Sequence, residues 1–148
     1  MSVQEILSVT LILFSVIDIV GSIPIVIDLR KKEGEIQSLK ATIVSGILMI
    51  VFLYVGASIL KLFGLDQHSF AIAGAIIMFF IAVEMILGIT LFKAEQAAKG
   101  IGSIVPLAFP LIAGAGTLTT ILSLRAVYEP SNILIGIILN LIIIFAVL

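Results

Sequence analysis

"FSVIDIVGSIPIVIDL", Phe14 to Leu29, is the stretch on which the fold of this chain turns. So apolar a run should be helix, yet it carries Asp18, then Gly21, Ser22 and Pro24. Proline removes a backbone donor and its ring clashes with the preceding turn, while glycine lowers the cost of non-helical backbone. The stretch therefore predicts a helix that breaks just past Asp18. What the break means depends on what surrounds it.

Of 148 residues, 61% are hydrophobic and 11% charged, and the mean hydropathy is +1.38. A soluble domain of this size could not hide so much apolar surface, so the composition points to an integral membrane protein. The net charge of -1 says nothing about nucleic acid, but no basic cluster large enough to bind it is present, so nucleic acid is not expected as a partner. With no cysteine, disulfides and thiolate metal sites are excluded as well.

Hydropathy divides the chain into five apolar blocks, Ile6–Leu29, Leu39–Leu60, Phe70–Phe92, Ile104–Leu124 and Asn132–Leu148. The first four match the length of a spanning helix at 1.5 Å per residue. Helix is the only option here, because a closed barrel needs alternating residues and lipid forbids unpaired backbone. The first block follows an amino terminus without Lys or Arg and ends in no small-x-small site, so it is expected to be a retained span. The fifth is still apolar at "IIIFAVL", which raises the expectation of a sixth span absent from this chain. Short links leave no room for a soluble domain, and His68 in "GLDQHSF" is expected to be a solvated loop residue. Arg30, Lys31, Lys32 and Lys40 lie in the first link and Lys93 and Lys99 in the third, against Lys61 and Arg125 alone in the others. The positive-inside rule then puts the amino terminus outside. The basic link meets anionic headgroups, making membrane lipid the expected partner of "RKKEGEIQSLK".

Asp18 now has a price in context. An ionised carboxylate deep in a span costs roughly 2.5 to 3.5 kcal/mol on insertion scales, so it should face a partner or a water-filled cavity. The groups freed by the break cannot face lipid and must line a cavity or meet another span. A plain proline kink with a satisfied aspartate is the simpler alternative.

A second interruption lies in "IVPLAFPLIAGAGTLTTILSL", where Pro106 and Pro110 are followed by Gly114 and Gly116, then Thr117, Thr119 and Thr120. A helix starting there would present free amides and a positive dipole end inside the membrane, which suits a carboxylate. The alternative is that small residues and threonines only let helices pack closely. The interrupted spans are the first and fourth, and paired broken segments in two halves point to a transporter binding site. The expected architecture is an all-α polytopic transmembrane bundle, an inverted 3+3 repeat with discontinuous first and fourth helices. Residues 1–148 form one transmembrane domain, with one repeat over about 1–92 and an incomplete second over about 104–148.

Glu84 is the other embedded acid. At 100° per residue, Ala73, Ile77, Phe80, Glu84 and Gly88 share one arc of roughly 80°, and that face is expected to point into the bundle. Buried without a cation, such an acid could carry a proton. Asn140 is expected to make an interhelical hydrogen bond.

Three spans, "FSVIDIVGSIPIVIDL", "FAIAGAIIMFFIAVEMILG" and "IVPLAFPLIAGAGTLTTIL", resemble the MarC family of prokaryotic inner-membrane proteins in order and spacing. The family's Asp-Pro-x-Gly-x-x-Pro falls on Asp18, Gly21 and Pro24, its acid followed by Met on Glu84, and its Pro-Leu-x-x-Pro-Leu-x-Ala-Gly-Pro-Gly on Pro106, Pro110, Gly114 and Gly116. Ile19 and Ala115 stand where the family has proline, and the remaining Gly and Pro predict that both breaks survive. The resemblance implies six spans and transport of small neutral amino acids.

These readings converge on a secondary transporter working by alternating access in the cytoplasmic membrane. The substrate carboxylate would meet Gly114, Gly116, Thr117 and Thr120. Its ammonium, or a coupling H+ or Na+, would meet Asp18 beside Gly21 and Ser22, with Glu84 as a second coupling group. No other cofactor or metal is implied, and a homo-oligomer is compatible with the sequence. An enzyme is not expected, because the spans hold no nucleophile paired with an intramembrane histidine. The rival is a non-transporting assembly factor or lipid-binding bundle, which would need the acids only for packing.

Overall fold

The computed structural model describes residues 2–33, 37–87 and 107–148. Among them the regular structure is helical, with no strand. Helices α1 (Val3–Ile17) and α2 (Ile23–Glu33) come from the first apolar block, α3 is Ser38–Leu62 and α4 is Gln67–Leu87. After a π-helical stretch, Leu107–Ile112, come α5 (Ala115–Leu124) and α6 (Pro130–Val147).

Among the described residues α3 and α6 are long and apolar enough to cross a membrane, with mean hydropathies of 2.5 and 2.3. At 15 and 10 residues, α1 and α5 fall short of the roughly 20 that a span needs. Each is apolar, and each is cut short by a feature that the sequence announces. α1 stops at Asp18, and α5 starts only after Gly114.

The side chains are distributed as lipid demands. On α3 the inward stripe is Ala41, Thr42, Ser45, Gly46, Met49, Leu53, Gly56 and Leu60, while Ile43, Ile47, Val51 and Val55 are exposed. Small and polar residues thus face other helices and large apolar ones face out, the arrangement of membrane bundles. Ser45 Oγ and Thr10 Oγ1 donate to the carbonyls four residues back, both at 2.7 Å, so neither hydroxyl is left unpaired.

Glycines set the closest crossings. A methyl on Gly136 would lie 2.7 Å from Val9 Cγ1, and one on Gly74 would lie 1.9 Å from Ala115 Cβ. The α1–α6 crossing is parallel, since Glu5 meets Asn132, Val9 meets Gly136, and Thr10 meets Asn140. Asn140 Nδ2 donates to Thr10 O at 3.1 Å and to Gly136 O at 2.9 Å, the interhelical bond expected of it.

Two expectations are corrected. The described part of the face assigned to Glu84 is turned outward, with Ala73, Ile77 and Phe80 exposed. Gly74 takes the inward position instead, because only a residue without a side chain lets α4 come so close to Ala115. The second correction is His68, which stands in the first turn of α4 and not in a loop. Its proximity to the helix start follows from Asp66, whose Oδ1 and Oδ2 accept from the amide and hydroxyl of Ser69, each at 2.8 Å. That is an N-cap, and it starts α4 three residues earlier than hydropathy implies.

Candidate functional site

The break after α1 is built by Asp18 itself. The residue has φ 45° and ψ 53°, the left-handed conformation, and is the only non-glycine residue with positive φ among the described residues. Aspartate tolerates this region better than most residues because its short side chain can bond locally. Here Oδ1 accepts from the Gly21 amide at 3.2 Å. The Asp18 carbonyl accepts twice from Ser22, from its amide at 3.1 Å and its hydroxyl at 2.9 Å. Glycine at 21 lets the carboxylate lie over the turn, since a methyl there would lie 2.3 Å from Asp18 Oδ2 and the side chain would have to swing away. Ile19 and Ser22 are buried while Asp18, Val20 and Gly21 are exposed, so the turn anchors itself through Ile19 and Ser22 and presents its carboxylate. Pro24 stands in the first turn of α2, where its missing donor is not needed.

The second break is built differently. Inside the π-helical stretch Phe109 is extended, at φ −142° and ψ 128°, and the Ala113 amide reaches back to Ala108 O at 2.9 Å. Gly114, extended at ψ 172°, caps α5 without a side-chain bond. The first helical bond is from the Leu118 amide to Gly114 O, at 2.9 Å. The amides of Ala115, Gly116 and Thr117 therefore have no acceptor within the helix. Thr117 is buried, and its Oγ1 donates to Ile112 O at 2.9 Å, tying the helix back across the break. Thr120 Oγ1 donates to Gly116 O at 2.8 Å, and Thr119 Oγ1 to Ala115 O at 2.8 Å. With their protons committed to carbonyls, these hydroxyls offer lone pairs, and the donors remaining at this end are the backbone amides.

The two breaks meet. A methyl on Gly116 would lie 3.8 Å from Val16 Cγ1, so the last turn of α1 rests on the first turn of α5. One turn back, Ile12 shares a cleft with Thr120 and Ser123, so α1 and α5 run antiparallel. The carboxyl end of one half-length helix thus adjoins the amino end of the other. The observed contact is between Val16 and Gly116; Asp18, Gly21 and Ser22 bond among themselves, and Thr117 bonds to Ile112 O. The Glu84 and Pro110 side chains, and all of Pro106, lie outside the described residues. No group of three or more His, Cys, Asp or Glu converges as a metal site among the described residues.

Two polar residues that the sequence did not single out prove structural. Arg125 Nη1 donates to Leu53 O and Tyr54 O, at 2.8 and 2.9 Å, clasping α3 from the end of α5. Gln67 Nε2 donates to Thr119 O at 3.0 Å and to Ser123 Oγ at 2.6 Å, joining the start of α4 to α5. Their positions at the ends of apolar blocks were the available signal.

Apolar outer faces, small-residue crossings and interrupted helices define a helical integral membrane protein. The family model described as MarC family integral membrane protein matches residues 3–148, and the chain belongs to that family. A UPF0056 membrane protein of Buchnera aphidicola subsp. Schizaphis graminum is 34% identical over 134 residues, covering 84% of this chain and 66% of the relative. The UPF0056 inner membrane protein YhgN of Escherichia coli is 31% identical over 134 residues, with the same coverage of 84% and 66%. A UPF0056 membrane protein of Methanocaldococcus jannaschii is 34% identical over 131 residues, covering 82% of this chain and 63% of the relative. The chain thus spans about two thirds of the length of these curated relatives. No solved structure matches it.

Proposed function

We propose that the protein is a secondary transporter of small neutral amino acids, working by alternating access in the prokaryotic cytoplasmic membrane with its amino terminus outside. The name of the Escherichia coli relative, an inner membrane protein, supports that location. The observation that carries the transport reading is the contact between Val16 and Gly116, which sets the two helix breaks side by side. Half-helix ends paired in this way, within an inverted 3+3 repeat whose first and fourth helices are discontinuous, are how secondary transporters build an ion and substrate site.

In this reading the uncapped amides of Ala115, Gly116 and Thr117 receive the substrate carboxylate, helped by the positive end of α5. The Asp18 carboxylate, with the backbone about Gly21 and Ser22, receives the ammonium or a coupling H+ or Na+. Glu84 is the second coupling group. The chain acts as a carrier and not an enzyme.

Counterflow into liposomes with a panel of labelled amino acids, with and without H+ and Na+ gradients, tests this directly. Uptake of alanine, glycine or serine is expected, and Asp18→Asn should abolish it in a folded protein. Full transport by a well-expressed Asp18→Asn protein would remove Asp18 from the site.

A second reading is favoured by one observation. Asp18 Oδ1 already accepts the Gly21 amide, so the carboxylate serves the turn without any ligand. A non-transporting assembly or lipid-binding bundle would need no more than that. Absence of uptake for every substrate, with function in the cell retained by Asp18→Asn, would select it.

A further inference from the structure

Between α1, α4 and α5 lies a cleft of about 530 Å³, one to two turns from the Val16–Gly116 contact. Ile12 forms an apolar wall, and Gln67, His68, Thr120, Ser123 and Tyr128 supply polar groups. That size and mixture are those of small-molecule sites, which are mostly apolar with a few directed polar groups.

The charged residues nearby are already engaged. Asp66 holds the amide and hydroxyl of Ser69, and the Arg125 guanidinium holds the carbonyls of Leu53 and Tyr54. Among the described residues, the polar groups lining the cleft are an amide, hydroxyls, a phenol and an imidazole, with no carboxylate, ammonium or guanidinium. Among these groups a solute of net charge would find no counter-charge, whereas a net-neutral polar one would find the hydroxyl lone pairs of Thr120 and Ser123 on one side and the His68 imidazole on the other. Gln67 fixes the two walls to each other through Thr119 O and Ser123 Oγ, so the cleft is held open by a built contact. Along α5, Thr120 lies one turn from Gly116, and its hydroxyl donates to Gly116 O at 2.8 Å.

We propose that this cleft is a water-filled entry site for a small net-neutral polar solute, lying between the α4 end of the bundle and the paired helix breaks. It rests on the transport reading for its purpose, and its test does not require transport. Because the sequence has no cysteine, single cysteines report without background. Ser123→Cys and Thr120→Cys in native membranes should react with a membrane-impermeant methanethiosulfonate from one face. Leu139→Cys, on the exposed face of α6, should not. L-alanine should slow labelling of Thr120→Cys several-fold, while L-lysine and L-glutamate should not.

Failure of both Ser123→Cys and Thr120→Cys to react from either face, in protein shown to be membrane-inserted, would overturn the proposal. Reaction without protection by alanine, or with protection by lysine or glutamate, would overturn it as well. Protection by alanine in a protein that shows no counterflow would uphold the cleft and remove transport.

Discussion

The Asp18 carboxylate lies directly over Gly21, so that a methyl on Gly21 would come within 2.3 Å of Oδ2. Gly21→Ala therefore has to push the carboxylate off the amide that it accepts. Because the exposed carboxylate can swing aside, the cost is that of the lost hydrogen bond, about 0.5 to 1.5 kcal/mol. The loss is to be read as a lower thermal midpoint of the far-ultraviolet circular dichroism in detergent. Adding Asp18→Ala removes the clash, so the double variant should lose less than the sum of the single losses. Strict additivity would show that the two side chains do not meet.

Gly74 and Ala115 make the closest of the glycine contacts among the described residues. Gly74→Ala would set two methyl carbons 1.9 Å apart, forcing α4 away from α5 at a cost of about 1 to 3 kcal/mol. Ala115→Gly in the same chain should recover most of this. Equal destabilisation with and without Ala115→Gly would place the crossing elsewhere.

Asn140 joins α6 to α1 through Thr10 O. Asn140→Leu is expected to cost about 0.6 to 2 kcal/mol, the range for interhelical hydrogen bonds in membranes. Titration with a denaturing detergent measures it. An unchanged midpoint would show that the bond adds nothing over lipid.

The Asp66 carboxyl is held below the usual carboxylate range, chiefly by the Ser69 amide and then by the Ser69 hydroxyl. Because the folded pKa is depressed, its stabilisation is complete above the ordinary value of 3.8 and is lost as pH falls through the lowered value. The hydrogen-exchange protection factor in the first turn of α4, which corrects for the intrinsic slowing of exchange in acid, should therefore fall on acidification. Asp66→Asn, which still caps, should remove that pH dependence. An identical acid response in Asp66→Asn would assign it to another group.

Some of this was legible in the residues and some was not. The break at Asp18 was legible because Gly21 and Pro24 act through local backbone sterics, which need no tertiary partner. The interhelical bond of Asn140 was legible because an amide in lipid has few other ways to be satisfied. The outward turn of Ala73, Ile77 and Phe80 was not, since the periodicity around Glu84 weighed the acid and not the missing side chain of Gly74. The place of His68 depended on the Asp66 cap, a polar signal that hydropathy does not register.

Composition and local backbone chemistry by themselves determined that this is a helical membrane protein, and that its first helix ends at Asp18. Only the tertiary structure decided that Val16 rests on Gly116, that Gly74 faces Ala115, and that Gln67 bridges to Ser123. The physical reason is that a helix apolar on every side carries little signal for its own rotation. Its facing is chosen by which small residues let two backbones approach, and that is a property of the pair.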